Sequence, residues 1–196
     1  MRTTLLALSL SALLAAAPSA FACDGKADVE NAFNEQHKAP WRTEIVSKAD
    51  TGIVQTQQFD FQPPDRIYRK VTSGEDKAET IGVGQTAWTN EGAGWQEMKK
   101  GVADLVFTHL RSTLAPAKVS VEFKCLDKVT YDGKSYVGYQ TVPETVEGKT
   151  LARTILIDPE KKRPAFNLIA PPDLSGEPLM KESYSYPADI NIEKPL

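Results

Sequence analysis

The sequence has few of the residues on which catalysis and metal binding usually depend. It contains two cysteines and two histidines. Metal sites need several converging His, Cys or carboxylate ligands, and neither His37 nor His109 has such a partner at a chelating spacing. It has no G-x-S-x-G, H-E-x-x-H, P-loop or dinucleotide-binding motif. We therefore expect no enzyme, metal or cofactor, although a carboxylate pair assembled by folding is an alternative.

An excess of charge of one sign is also missing. Lys and Arg total 23 and Asp and Glu total 26, which gives a formal net charge of −3. The basic residues are scattered, apart from short clusters at residues 99–100 and 161–163. A nucleic-acid-binding surface needs a basic stripe or patch, so no nucleic-acid partner is expected.

Long apolar runs are absent, because the only candidate, residues 5–17, falls short of the ~20 residues that span a bilayer. We therefore expect no transmembrane segment. Arg2 precedes this run, and Ala20-Phe21-Ala22 follows it as a small-x-small cleavage site. This order predicts a cleavable signal peptide over residues 1–22, a single mature domain over residues 23–196 and a periplasmic location.

The two cysteines, Cys23 and Cys125, predict one disulfide, since an even count in an exported protein favours pairing. Two alternatives stay open. Cys23 directly follows the predicted cleavage site and would be lipidated in a lipoprotein, but Ala20 stands where lipoprotein signals usually have Leu. A reactive thiol is the other alternative, although there is no C-x-x-C pair to suggest redox catalysis.

From Trp41 onward, short β-prone segments alternate with turn clusters every ten or twelve residues, which is typical of an all-β sheet or barrel. Gly, Pro, Asn and Asp in the intervening turns favour positive φ or preset a bend. The predicted strands are residues 41–48, 52–61, 65–72, 78–83, 86–89, 95–98, 119–130, 135–142, 150–158, 164–169, 179–186 and a last one at 190–192.

Two segments interrupt this rhythm and are predicted to be short helices, residues 27–38 and 102–111. In the second, Val102, Leu105, Val106, His109 and Leu110 share one face. Each helix is apolar on one side only and must pack on the sheet. The expected fold is mainly β, a single curved antiparallel sheet forming an unclosed barrel, with the helices on its concave side as a lid. A closed barrel or a sandwich is the alternative.

Three groups of residues carry a family resemblance. The first is Pro64-Asp65-Arg66 with residues 79–84, 88–89 and 94–98. The second is residues 125–140, which include Asp132-Gly133-Lys134 and Tyr139, and the third is residues 184–186 with 189–195. Together they resemble exported proteins of the LolA/LolB-like and LppX/LprG-like lipoprotein-carrier superfamily. The resemblance implies an unclosed β-barrel of about eleven strands with a helical lid over an apolar cavity that holds acyl chains.

A carrier of this kind needs inward-facing apolar side chains, because burial of acyl carbons contributes about 0.8 kcal/mol per CH₂. Strand alternation and the helix stripe select the candidates, and plain core packing is the alternative for each. The candidates are Ile53, Phe59, Phe61, Ile67, Val71, Ile81 and Val83 on the strands and Leu105, Val106 and Leu110 on the second helix.

Three strand arginines, Arg42, Arg66 and Arg69, are candidates for binding the head group of a ligand, since a guanidinium pairs well with phosphate or carboxylate. Alternation places Arg69 on the face of Ile67 and Val71 and Arg66 on the other face, so the two cannot serve one pocket. A solvated outer surface is the alternative for all three.

The sequence thus predicts a periplasmic protein that holds a lipid or an acyl chain without doing chemistry. A protein-interaction or sensor module, in which the curved sheet binds an envelope partner, is the second hypothesis. A hydrolase with dispersed catalytic residues is the third. An empty cavity of lipid size would separate the first hypothesis from the second.

Overall fold

The computed structural model describes residues 23–48 and 52–195. The expected signal peptide and most of the turn at residues 49–52 lie outside the described residues. The described residues form two helices, α1 (Gly25–Gln36) and α2 (Lys100–Leu114), and twelve strands. The strands are β1 (Trp41–Lys48), β2 (Val54–Gln62), β3 (Arg66–Ser73), β4 (Asp76–Val83), β5 (Thr86–Asn90), β6 (Gln96–Glu97), β7 (Lys124–Tyr131), β8 (Lys134–Gln140), β9 (Glu144–Val146), β10 (Lys149–Ile157), β11 (Pro164–Ala170) and β12 (Met180–Ser185).

The strands form one antiparallel sheet in the order β6-β5-β4-β3-β2-β1-β12-β11-β10-β8-β7, and β9 pairs with β10 beside this path. The chain meanders from β1 to β6, and β12 returns to pair with β1, joining the two halves of the sheet. Within the described ranges β6 and β7 do not pair with each other, so the barrel is not closed. The predicted unclosed antiparallel barrel with two helices is confirmed.

Two predicted strand segments are wrong. Residues 190–192 form no strand, because their backbone bonds to side chains: the Ile192 N–H donates to Gln62 Oε1 at 2.8 Å, and Arg66 Nη1 donates to the Ile192 carbonyl at 2.7 Å. Residues 119–123 precede β7 rather than belonging to it. The Val119 N–H there donates to Glu30 Oε1 of α1 at 2.8 Å. The short strand β9 was not predicted.

Both helices lie on the same face of the sheet, here called the inner face. On one half, Ala103, Phe107 and Leu110 of α2 pack against side chains of β1, β2 and β3. On the other half, Val29 and Ala32 of α1 pack against β8 and β10. The two helices therefore cover different halves of the sheet. None of the helices in the described ranges is long and apolar enough to span a membrane.

The start of α1 is fixed to the sheet in two ways. Cys23 forms the predicted disulfide with Cys125 of β7, at a sequence separation of 102 residues. Gly25 lies so close to the backbone carbonyl of Phe123 that a Cβ atom there would overlap it. Asp24 caps the helix by accepting a hydrogen bond from the Ala27 N–H at 3.0 Å.

A second close approach positions α2. A Cβ atom on Gly82 of β4 would lie 3.0 Å from Ile67 Cγ2 and 3.2 Å from Val106 Cγ1. Glycine at this inner-face position therefore allows α2 to rest on the sheet. The helix is longer than predicted at both ends and stops just before Pro116, because proline cannot continue the hydrogen-bond ladder.

Candidate ligand-binding cavity

A cavity of about 580 Å³ lies between α1, the C-terminal end of α2, residues 115–121 and the inner face of the sheet. Alternation in β1 directs Trp41, Thr43 and Ile45 toward it, and the register places Trp41 beside Phe61 and Thr43 beside Phe59. The Trp41 and Phe61 rings stack at a centroid distance of 4.6 Å, and the Phe59 and Phe61 rings at 5.9 Å. The floor of the cavity therefore contains three aromatic rings, which belong to the core and are at most 9% exposed.

One end of the cavity is polar. Arg153 on β10, Glu182 on β12 and Tyr184 on β12 all line it. Arg153 Nε donates to Asn167 Oδ1 at 3.0 Å, and Asn167 Nδ2 donates to Glu182 Oε2 at 2.7 Å. Burial and the neighbouring Glu182 carboxylate raise the pKa of Tyr184 well above its ordinary value, so its hydroxyl is protonated at neutral pH.

A smaller, more apolar groove of about 400 Å³ runs along the flank of α2 over β2, β3 and β4. Phe59, Ile67 and Arg69 form its floor, and Leu105 and Val106 form its helical wall. Leu105 is 69% exposed. An apolar side chain that is left this open beside a groove provides surface for burying a ligand.

Phe59 and His109 line both spaces, so the groove and the cavity adjoin at this pair. The His109 and Phe59 ring centroids are 5.5 Å apart. Burial, with a contribution from the positive charge of Arg69, lowers the pKa of His109, and burial lowers the pKa of His37, which stacks on Trp41 and also lines the cavity. Both imidazoles are therefore neutral at pH 7, in keeping with an apolar passage.

The predicted cavity residues fall into three groups. Phe59, Phe61, Ile67, Leu105 and Val106 line the cavity or the groove. Two others are on the inner side without lining either: Leu110 is 2% exposed in the core beneath α2, and Val71 lies farther along β3, opposite Gln57.

The other three predicted residues lie elsewhere. Ile53 is 54% exposed beside the β1–β2 turn. Ile81 and Val83 are directed to the outer face, because the register pairs them with Tyr68 and Arg66 and gives the helix-facing position between them to Gly82. The structure does not bring these three residues to the helix side of the sheet.

The three predicted arginines lie on different faces of the sheet, as the alternation of side chains along a strand requires. Arg42 is on the outer face and forms a two-point ion pair with Asp60, with both nitrogen–oxygen distances at 2.7 Å. Arg66 is also on the outer face and holds the Ile192 carbonyl. Arg69 alone of the three lines the inner groove, where its guanidinium lies 5.5 Å from the centroid of the Phe59 ring.

Sequence reasoning missed several lining residues. The alternation of Trp41, Thr43 and Ile45 is a visible signal that would have identified β1 as part of the floor. No sequence pattern marks Arg153 and Tyr184 as lining residues, because their position beside the cavity depends on the long-range pairing of β12 with β1. In the part of the chain described, no group of three or more His, Cys, Asp or Glu side chains is placed to hold a metal ion.

No family model matches the sequence, and no curated protein sequence matches it. Among solved structures, the chain is similar to the lipoprotein LppX of Mycobacterium tuberculosis, with a TM-score of 0.55 and 12% identity over 86% of this chain and 98% of that one. This likeness shows a LolA/LppX-like fold.

Two further solved structures are similar at lower TM-scores. The complex of MucA and MucB from Pseudomonas aeruginosa matches with a TM-score of 0.47 and 11% identity over 85% of this chain. This chain spans 59% of the chain matched in that complex. A LolA superfamily protein of Nitrosomonas europaea matches with a TM-score of 0.30 and 10% identity, over 84% of this chain and 92% of that one.

Proposed function

We propose that this chain is an exported periplasmic binding protein, which holds a hydrophobic ligand such as a lipid or acyl chain between its helices and the inner face of the sheet, without chemistry. The observation that carries this proposal is the 580 Å³ cavity with an aromatic floor. Its volume falls within the ~300–1,000 Å³ typical of small-molecule sites.

The energetics of burial support an apolar ligand. Each methylene removed from water contributes about 0.8 kcal/mol, so ten buried methylenes contribute about 8 kcal/mol. Association costs roughly 4–15 kcal/mol in lost translational and rotational freedom. Ten methylenes thus offset the lower part of this range, and an acyl chain that continues from the cavity into the groove beside Leu105 offsets more of it.

Export is supported by two independent features. The apolar N-terminal segment with its Ala20-Phe21-Ala22 cleavage pattern is typical of a secretory signal. The Cys23–Cys125 disulfide suits an oxidising compartment. We therefore place the mature domain, residues 23–196, in the periplasm.

The proposal is tested by native mass spectrometry of the mature chain purified from the periplasm. We expect additional mass that is lost on organic extraction and proves to be lipid. Thr113→Trp fills the cavity that Thr113 lines and should abolish the additional mass. Thr108→Trp is the matched control, because Thr108 is exposed on the same helix and lines neither the cavity nor the groove, and it should leave the bound mass unchanged.

A bare mass, in a folded protein that also fails to take up added lipid, would contradict the binding function. It would favour the protein-interaction module, for which the structure offers one specific feature. Within the described ranges, no strand pairs with the outer edge of β7, and an extended segment of a partner protein would fit there by strand addition.

A further inference from the structure

The two arginines that line the ligand space are not ion-paired within the described ranges, a property they share with Arg66 on the outer face and Arg111 on α2. Arg42 and Arg163 pair with the carboxylates of Asp60 and Glu35. In contrast, Arg69 and Arg153 line the groove and the cavity, and neither forms an ion pair with any described residue. Neither guanidinium is thus in direct contact with a carboxylate of the described residues. The cavity lining carries two further charges, the Glu182 carboxylate near Arg153 and the Lys118 ammonium, which also forms no ion pair with a described residue.

Arg153 is oriented more firmly than a free surface arginine. Its Nε atom donates to Asn167, which is 4% exposed and is itself held by Glu182. Within the described residues, its two Nη atoms have no hydrogen-bond partner. A guanidinium fixed through Nε still presents N–H donors that match the oxygens of a carboxylate or phosphate.

We propose that the ligand is an anionic amphiphile, whose carboxylate or phosphate head is bound by Arg153 and whose tail lies across the aromatic floor toward the groove beside Leu105. This inference rests on the proposed binding function and specifies the class of ligand. From β10, which carries Arg153, to β4 at the far side of the groove there are six strand-to-strand steps. At about 4.8 Å each they trace a path of roughly 29 Å along the curved sheet, so the ligand space is elongated.

Arg153 rather than Arg69 is assigned to the head group because of what surrounds each residue. Arg153 shares its end of the cavity with the Tyr184 hydroxyl, which can donate to an anionic head, while the Glu182 carboxylate at the same end accepts from Asn167 at 2.7 Å. Arg69 donates to Gln57 at 3.0 Å and lies over the Phe59 ring, within the more apolar groove. A tail fits that environment better than a charged group does.

The test compares ligands with one tail and different heads. The probes are hexadecanoate, hexadecyl phosphate and hexadecanol, each displacing the neutral dye N-phenyl-1-naphthylamine from delipidated mature protein. We expect the wild type to bind at least one of the two anions about tenfold more tightly than the alcohol, since a hydrogen bond to a charged group discriminates by this factor. Which anion binds more tightly identifies the head as carboxylate or phosphate.

Variants assign the preference to a residue. Arg153→Gln should lose the preference for the anion over hexadecanol, and Arg153→Lys should retain part of it. Arg69→Gln tests the other assignment of the head group and should keep the anion preference. Arg111→Gln is the matched control, because Arg111 is exposed on α2 and lines neither the cavity nor the groove, and it should change neither affinity.

Equal affinity of the wild type for the alcohol and the anions would overturn the inference and leave the proposed binding function standing. An anion preference that persists in Arg153→Gln, or one that disappears in Arg69→Gln, would also overturn it. Failure to bind any of the three probes would overturn the proposed function and this inference with it.

Discussion

Loss of the Cys23–Cys125 disulfide should destabilise the protein by a large and measurable amount. The bond joins residues 102 positions apart, so it removes the closure entropy of a long loop from the unfolded chain. The chain-entropy model gives about 4.7 kcal/mol for a loop of this size, and typical native bridges contribute about 2–4 kcal/mol. At roughly 2–4 °C per kcal/mol for a chain of this length, Cys125→Ser should lower Tm by roughly 4–19 °C.

Differential scanning calorimetry of mature wild type, Cys125→Ser, Cys23→Ser and the double variant measures this effect. The two single variants and the double variant should melt at about the same temperature, because each removes the same bond. Reduction of the wild type should reproduce the shift, since Cys23 is exposed. An unchanged Tm under reduction, or additive losses in the double variant, would refute the reasoning.

The same variant should keep most of its ligand binding. Residues 117–119 still connect to α1, since the Ala117 N–H donates to Asn34 Oδ1 at 2.8 Å and the Val119 N–H donates to Glu30 Oε1 at 2.8 Å. Val29 also remains packed on the sheet. Cys125→Ser should therefore bind the ligand at temperatures below its melting transition, as measured by native mass spectrometry.

Two further predictions concern the helices and the rim. Gly25→Ala should destabilise the protein by about 1–3 kcal/mol in urea unfolding, because the added Cβ would overlap the Phe123 carbonyl. Gly101→Ala is the control, since Gly101 lies in open space on α2, and it should be neutral or slightly stabilising. Equal effects of the two substitutions would contradict the described packing of α1. The pKa values of His37 and His109 are lower in the folded protein than in the unfolded chain, so the unfolded chain binds more protons as the pH falls. The urea midpoint of unfolding should therefore decrease as the pH is lowered from about 6.5. The decrease should be smaller in the double variant His37→Gln/His109→Gln. The same pH slope in that variant would assign the effect to other groups.

Local patterns in the sequence were sufficient for most elements of the fold. The predicted strand over residues 41–48 coincides with β1, and both helices were found within a few residues of their ends. Each of these elements is specified by its own periodicity and by neighbouring turn residues. The last predicted strand failed because residues 190–192 are apolar enough to be buried but bond through Gln62 and Arg66 rather than through a strand.

The candidate site was predicted less completely, and β4 shows the reason. Ile81 and Val83 are the two large apolar residues of this strand, and large apolar residues usually face the main core. Here the inner position belongs to Gly82, since α2 approaches too closely for a side chain. The outer face is partly covered as well, because Ile81 and the C-terminal Ile192 border the same outer depression. Which side of a strand is inner depends on contacts between segments far apart in sequence.

The cavity itself follows from the width of the sheet. A helix with its side chains is about 10–12 Å across and covers two or three strands spaced at ~4.8 Å, so two helices cover about half of the eleven strands in the main path. The backbone of α2 lies nearest β4 and β5 and that of α1 nearest β11, so the middle strands β1 and β12 are reached by helix side chains rather than covered by a helix backbone. Phe33 of α1, for example, contacts Tyr184 of β12 at a ring-centroid distance of 5.8 Å. The two middle strands carry Trp41, Thr43, Glu182 and Tyr184, and the segment after α2 roofs them without filling the space. A ligand in this position would supply the missing part of the core, so binding should raise the stability of the whole domain as well as occupy a site on it.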